Sequence, residues 1–152
     1  MRSRVPLAVL VLLTVTSVPS CAYGADNNIP NQQSIDALEA KANLAPPREQ
    51  CFLYAKLVHE MTELSLRQYA AGDVEKATGL LLQIQQHVNK IHLSVADNNK
   101  RLKDAEILLR RTAFRLTEML HSSGYEDRPL VERTLAQVNH AETETMMQVF
   151  RK

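Results

Sequence analysis

The sequence predicts an all-α fold: an antiparallel up-down four-helix bundle with a short extra helix at its N-terminal side. Three observations carry this. Apolar residues recur at spacings of three and four over long stretches, which is the period of a helix with one buried face. The chain has no Trp and few aromatic side chains among its 152 residues, so the usual strand formers are scarce. Gly72, Gly124, Pro46-Pro47 and Pro129 punctuate the periodic stretches where helices would stop and start.

The chain opens with Met1-Arg2-Ser3-Arg4 and then runs without a charge from Val5 to Val18. A basic start followed by a short apolar run is the pattern of an export leader. A permanent membrane span needs about 20 apolar residues, which this run does not supply before Pro19. Ala22-Tyr23-Gly24 has the small residues that signal peptidase selects, so cleavage after Gly24 is expected. Lipidation of Cys21 within Val18-Pro19-Ser20-Cys21 is the alternative. The first makes an exported protein, periplasmic or secreted, with no membrane insertion; the second makes an envelope lipoprotein.

Residues 1–24 are thus read as a leader, 25–47 as a flexible segment carrying a short helix, and 48–152 as the bundle. The short helix is placed at about 34–43, with Ser34 as its cap and Ile35, Leu38 and Ala42 on one side. Pro46-Pro47 ends it. The next helix runs from about Arg48 to Ala71 on Tyr54, Leu57, Val58, Met61 and Leu64, and stops at Gly72 with Asp73 as a fresh cap. Gln68 to Ala77 resembles the Gly-Asp turn of a tetratricopeptide hairpin, but no second copy follows about 34 residues later.

The cleanest periodicity in the chain starts at Val74 and comprises Ala77, Leu80, Leu81, Ile84, Val88, Ile91 and Val95. Ala96-Asp97-Asn98-Asn99-Lys100 groups poor helix formers and predicts a turn capped by Asp97. Because the stripe continues in phase through Leu102, Ala105 and Leu109, the alternative is one long central helix over 74–121 with a helix packed on each half. Leu102, Ala105, Leu109, Thr112, Ala113, Leu116 and Leu120 form the inward face of the following helix, which ends near Ser122-Ser123-Gly124. Asp127 and Pro129 start the last helix, whose face is Val131, Leu135, Val138, Thr145 and Val149.

Composition excludes some functions. Loss of Arg2 and Arg4 from 18 basic side chains, against 17 acidic ones, leaves a formal charge of −1. Near-neutrality argues against a nucleic-acid binder. The same cleavage leaves Cys51 as the only cysteine, so no internal disulfide forms and burial in the core is expected. Serine-nucleophile, Cys-His and phosphate-loop arrangements are absent, which argues against an enzyme.

The five histidines offer the main cofactor chemistry. Antiparallel pairing about the turns puts His59, His87 and His140 at nearly the same height, the low-ranking candidates for a metal site. At 100° per residue, however, His59 and His140 lie about 160° from the centres of their apolar faces and His87 about 80° from its own. They are expected to point outward, so no metal or other cofactor is assigned. Glu118-Met119-Leu120-His121 matches the Glu-x-x-His element of di-iron bundles, yet its only echo, Gln137 to His140, lacks the carboxylate. Haem has no Cys-x-x-Cys-His, and Met61 has no histidine placed opposite it; Met119, Met146 and Met147 read as core and flank filler.

Lys100, Arg101, Lys103, Arg110, Arg111 and Arg115 read as a solvated basic face. One stripe on that helix is different. Lys103, Ile107, Arg110, Phe114, Thr117 and His121 recur at four-three spacing, well away from the core face, and carry two large apolar side chains. Either the short N-terminal helix covers Ile107 and Phe114, or a protein partner or a second copy of the chain does.

Gln50-Cys51-Phe52-Leu53-Tyr54 and Arg101-Leu102-Lys103-Asp104-Ala105-Glu106, behind a leader, resemble a group of uncharacterised exported bacterial helical-bundle proteins. The resemblance implies the fold and export and transfers no site. The expected function is a non-enzymatic interaction or structural module of the cell envelope; a small periplasmic metal- or haem-binding bundle is the alternative.

Overall fold

A computed structural model describes residues 29–95 and 100–151. It contains five helices: α1 (Gln32–Leu44), α2 (Pro47–Ala70), α3 (Val74–Ser94), α4 (Leu102–Ser122) and α5 (Arg128–Phe150). Among the described residues there is no strand, and none of the helices is long and apolar enough to cross a membrane. The expected leader, Cys21 and the turn at 97–99 lie outside the described residues.

Each helix end follows from local chemistry, with some changes from expectation. The first helix starts at Gln32, two residues before the expected start. Asn31 is the cap and Ser34 is its reciprocal partner: the Ser34 N–H donates to Asn31 Oδ1 at 2.8 Å and the Asn31 N–H to Ser34 Oγ at 3.0 Å. Ala45 is extended ahead of Pro46, as the residue before a proline prefers, and Pro47 occupies the opening turn of α2, where its missing N–H costs nothing. Gly72 closes α2 with φ +85°. The Gly72 N–H donates to Tyr69 O at 3.0 Å and the Asp73 N–H to Gln68 O at 2.9 Å, the paired bonds of a Schellman stop.

Asp73 and Asp127, expected as side-chain caps, make no such bond. The Asp73 carboxylate pairs with Lys76 at 3.2 Å. That of Asp127 accepts from Tyr69 Oη at 3.2 Å, and the same hydroxyl accepts the Gly124 N–H at 2.8 Å. Tyr69 therefore pins the α4–α5 turn to the end of α2.

Consecutive helices run antiparallel, so the up-down alternation stands. The neighbour relations are more particular. α2 packs on α3 and α4, and α5 packs on α3 and α4, while the backbones of the pairs α2/α5 and α3/α4 make no close approach. α3 and α4, consecutive in the chain, thus take diagonal positions in the bundle. Side-chain links across α2/α4 join residues 51 to 53 apart (Glu49–Lys100, His59–Thr112, Glu63–Arg115), and those across α3/α5 join residues 49 and 52 apart (Gln85–Thr134, His92–Glu144). A nearly constant offset means that these neighbours run parallel. Two helical hairpins lie side by side.

This arrangement removes the long central helix. Val95 is extended, Arg101 is left-handed at φ 59°, and the Lys100 N–H donates to Arg48 O at 2.8 Å, which places the start of α4 beside the start of α2.

The core takes Leu57, Met61, Leu81, Ile84, Ile91, Leu109, Leu116, Met119 and Val138, all fully buried, with Cys51 among them. α1 adds Ile35, Leu38 and Ala42 by packing on α2. Two threonines of α5 are core residues. Thr134 and Thr145 are fully buried and return their hydroxyls to the carbonyls of Leu130 and Ala141 at 2.8 and 2.7 Å. Back-bonding satisfies the hydroxyl and leaves the methyl to pack.

Candidate functional site

The histidines expected to share one layer are dispersed. His59 does not point into solvent: it sits half-buried in the α2/α4 seam with Nδ1 3.2 Å from Thr112 Oγ1. Burial lowers its pKa; nearby Glu63 and Glu60 oppose the shift, and Arg111 and Arg115 reinforce it. The outward expectation failed because α2 packs against α1, α3 and α4 and is buried on more than its main apolar stripe.

His87, expected on an open flank, is 5% exposed. α1 supplies Glu39, whose Oε1 lies 3.5 Å from His87 Nε2, and the imidazole stacks on Tyr54 at 6.1 Å between centroids. Burial lowers its pKa as well, ahead of the opposing effect of Glu39. Tyr54 donates to Asn43 Oδ1 at 2.8 Å, and Lys90 donates to the same oxygen at 3.2 Å while lying 5.2 Å over the Tyr54 ring. This knot of α1, α2 and α3 fastens the first helix; its chemistry is structural.

His140 alone faces outward as expected, and it has company. His92, in the last turn of α3, meets His140 and Glu144 of α5. His92 Nδ1 bonds Glu144 Oε2, His140 Nδ1 lies 3.7 Å from the same oxygen, and the two rings are 5.9 Å apart. One ligand-type atom from each residue lies within 4.8 Å of the others, the only such His/Cys/carboxylate trio among the described residues. His92 was missed because parallel packing of α3 on α5 is invisible in either helix alone. The available hint was His140 and Glu144, one turn apart on one face.

The second feature is a groove of about 460 Å³ between α1, α2 and α4. Leu38, Phe52, Leu53, Ile107 and Leu108 give it apolar walls, and Lys41, Lys56, Arg101 and Arg111 make its rim mainly basic. Lys56 is paired with Glu60 at 3.5 Å, and Arg101 with Asp104 at 2.8 Å while covering the Phe52 ring at 3.6 Å. Lys41 and Arg111 have no ion pair among the described residues.

The stripe on α4 splits along its length. Ile107 is half-buried in the groove, with Leu38 and Lys41 of α1 lining the same space. Phe114 is 64% exposed, and α1, which packs on α2, does not cover it. Lys103 and His121 are exposed, and Arg110 is tied to Glu106 and, at 3.6 Å, to Glu142 of α5. Of the wider basic run, Lys100, Arg101, Arg110 and Arg115 are ion-paired, leaving Lys103 and Arg111 unpaired among the described residues.

Comparison with protein-family models, with curated proteins and with solved structures finds no match for this chain.

Proposed function

We propose that this protein is a non-enzymatic helical bundle of the cell envelope that acts through protein contacts, seating an acidic, apolar-anchored segment of a partner protein in the groove between α1, α2 and α4. The observation that carries this reading is the groove itself: apolar walls at Leu38, Phe52, Leu53 and Ile107, with the unpaired cations Lys41 and Arg111 at its rim. Apolar walls reward burial of a side chain, and unpaired rim charges select the sign of its neighbours. The uncovered Phe114, one face-repeat beyond Ile107, extends the contact surface along α4. The export leader read from the sequence supports an envelope location, and the absence of a catalytic motif supports a binding role.

The test places a photo-cross-linking residue at Ile107 in cells and identifies the captured segment by mass spectrometry. The expected product is an acidic segment of another protein, lost when Lys41→Glu and Arg111→Glu are combined. A cross-link to a second copy, with a dimer seen by light scattering, would replace this reading with self-association. A strict monomer cross-linked only within itself would sink both.

A further inference from the structure

The geometry points to a divalent transition-metal site at His92, His140 and Glu144, of the class that takes Zn(II) or Cu(II). It shares no residue with the groove and joins the parallel helices α3 and α5. Two imidazoles and a carboxylate are the donors that borderline first-row ions accept and that Mg(II) and Ca(II), which prefer all-oxygen shells, do not. Around a tetrahedral ion with metal–ligand bonds of about 2.1 Å, donor atoms stand roughly 3.4 Å apart. His140 Nδ1 and Glu144 Oε2 are already at 3.7 Å, and no pair in the trio exceeds 4.8 Å. Reaching that spacing means drawing the imidazoles together and opening the direct His92–Glu144 contact, both by side-chain rotation, and both imidazoles are exposed enough to make it.

Two further features suit a cation here. His92 lies in the last turn of α3, where the carbonyl end of the helix carries partial negative charge. Along α5, Gln137 and Gln148 flank the trio on either side, and each holds a buried Oε1 with no hydrogen-bond partner among the described residues. Gln137 lines a cavity with His92 and His140, and Gln148 lines another with His92 and Glu144. Water molecules completing the ion's shell would give these acceptors the donors they lack. The ion would then be held by three protein ligands with its remaining positions open to solvent, while clamping the C-terminal end of α3 to α5.

The experiment uses the untagged full chain with zinc chloride and copper(II) chloride, and magnesium chloride as the control, followed by titration calorimetry and thermal unfolding. One equivalent of Zn(II) or Cu(II) is expected at micromolar or tighter affinity, with none of Mg(II). His92→Ala and His140→Ala each weaken it at least about tenfold, Glu144→Gln weakens it less, and His121→Ala leaves it unchanged. At a hundredfold excess over Kd the melting temperature rises by about 10 °C in the wild type and not in His92→Ala. Circular dichroism of the metal-free variants separates lost binding from lost fold, since His92 and His140 are exposed. Less than half an equivalent bound at about 100 µM free metal, or binding that survives the double variant His92→Ala/His140→Ala, overturns the site.

Discussion

Gly72 and Gly79 form a matched pair that tests what holds the α2–α3 hairpin. A Cβ added to either glycine meets nothing within 4 Å, so alanine at either position disturbs no packing. The backbones differ. Gly72 has φ +85° in the stop that ends α2, whereas Gly79 lies inside α3 without a positive φ. At Gly72 alanine must hold a left-handed conformation that costs about 1–2 kcal/mol. Restricting the unfolded chain returns about 0.4–1 kcal/mol of that. Gly72→Ala is therefore expected to destabilise the protein by about 1 kcal/mol. At Gly79 only the favourable effects of alanine in a helix interior operate, so Gly79→Ala stabilises by about 0.5–1 kcal/mol. One substitution in two equally empty surroundings gives opposite signs, separated by nearly ~2 kcal/mol. Urea unfolding followed by far-ultraviolet circular dichroism resolves this difference, and thermal unfolding shows it as several degrees on either side of the wild type. If both variants move stability in the same direction, or Gly72→Ala is neutral, backbone conformation is not what closes the hairpin. Gly72→Asn serves as the internal control, because asparagine tolerates the left-handed region better and should cost less than alanine.

Stability should also depend on pH through the half-buried His59 and the buried His87. Burial holds His59 and His87 below the ordinary value of 6.5, so the unfolded chain binds protons first as pH falls below about 6.5. Stability is greatest above that value and declines as pH falls toward the folded-state pKa. His87→Leu, which also removes an Nδ1 with no hydrogen-bond partner among the described residues, should make the decline between about pH 7 and about pH 5 shallower in urea unfolding, and an unchanged slope contradicts the assignment. Leu116→Ala empties a fully buried position on α4 and should cost about 3 kcal/mol; a loss under about 1 kcal/mol would show that this part of the core collapses freely. Phe114→Asp, at an uncovered position, should change stability by less than about 0.5 kcal/mol while weakening any contact made through α4, and a large stability loss would place Phe114 in the core instead.

The site was less legible in the sequence than the helices were. Ile35, Leu57, Leu81, Ile84, Leu109 and Val138 were placed inward from spacing alone, and all are buried. His59 and His87 were misplaced by the same method. A single apolar stripe marks the face toward one main neighbour, whereas α2 has three neighbours and α3 has α1 reaching over it to pair Glu39 with His87. Lys41 and Leu38, which help build the groove, come from a helix whose docking position no local pattern encodes. Glu106 reads as a surface charge on α4 and is 6% exposed, paired with Arg110.

Periodicity, caps and breakers, being properties of a few consecutive residues, were enough to determine that the chain is helical and where most of its helices stop, but left open whether the stretch over 74–121 is one helix or two. Gly72 stops a helix whatever surrounds it, and Pro47 opens one. Which helices become neighbours depends instead on how whole apolar faces meet, and that is a property of the assembled bundle. The diagonal placement of α3 and α4 sets α3 beside α5 in parallel and so brings His92 to His140 and Glu144, residues about 50 positions apart whose meeting no local spacing records. It likewise sets α4 beside α2, turning the expected outward His59 into a partner of Thr112.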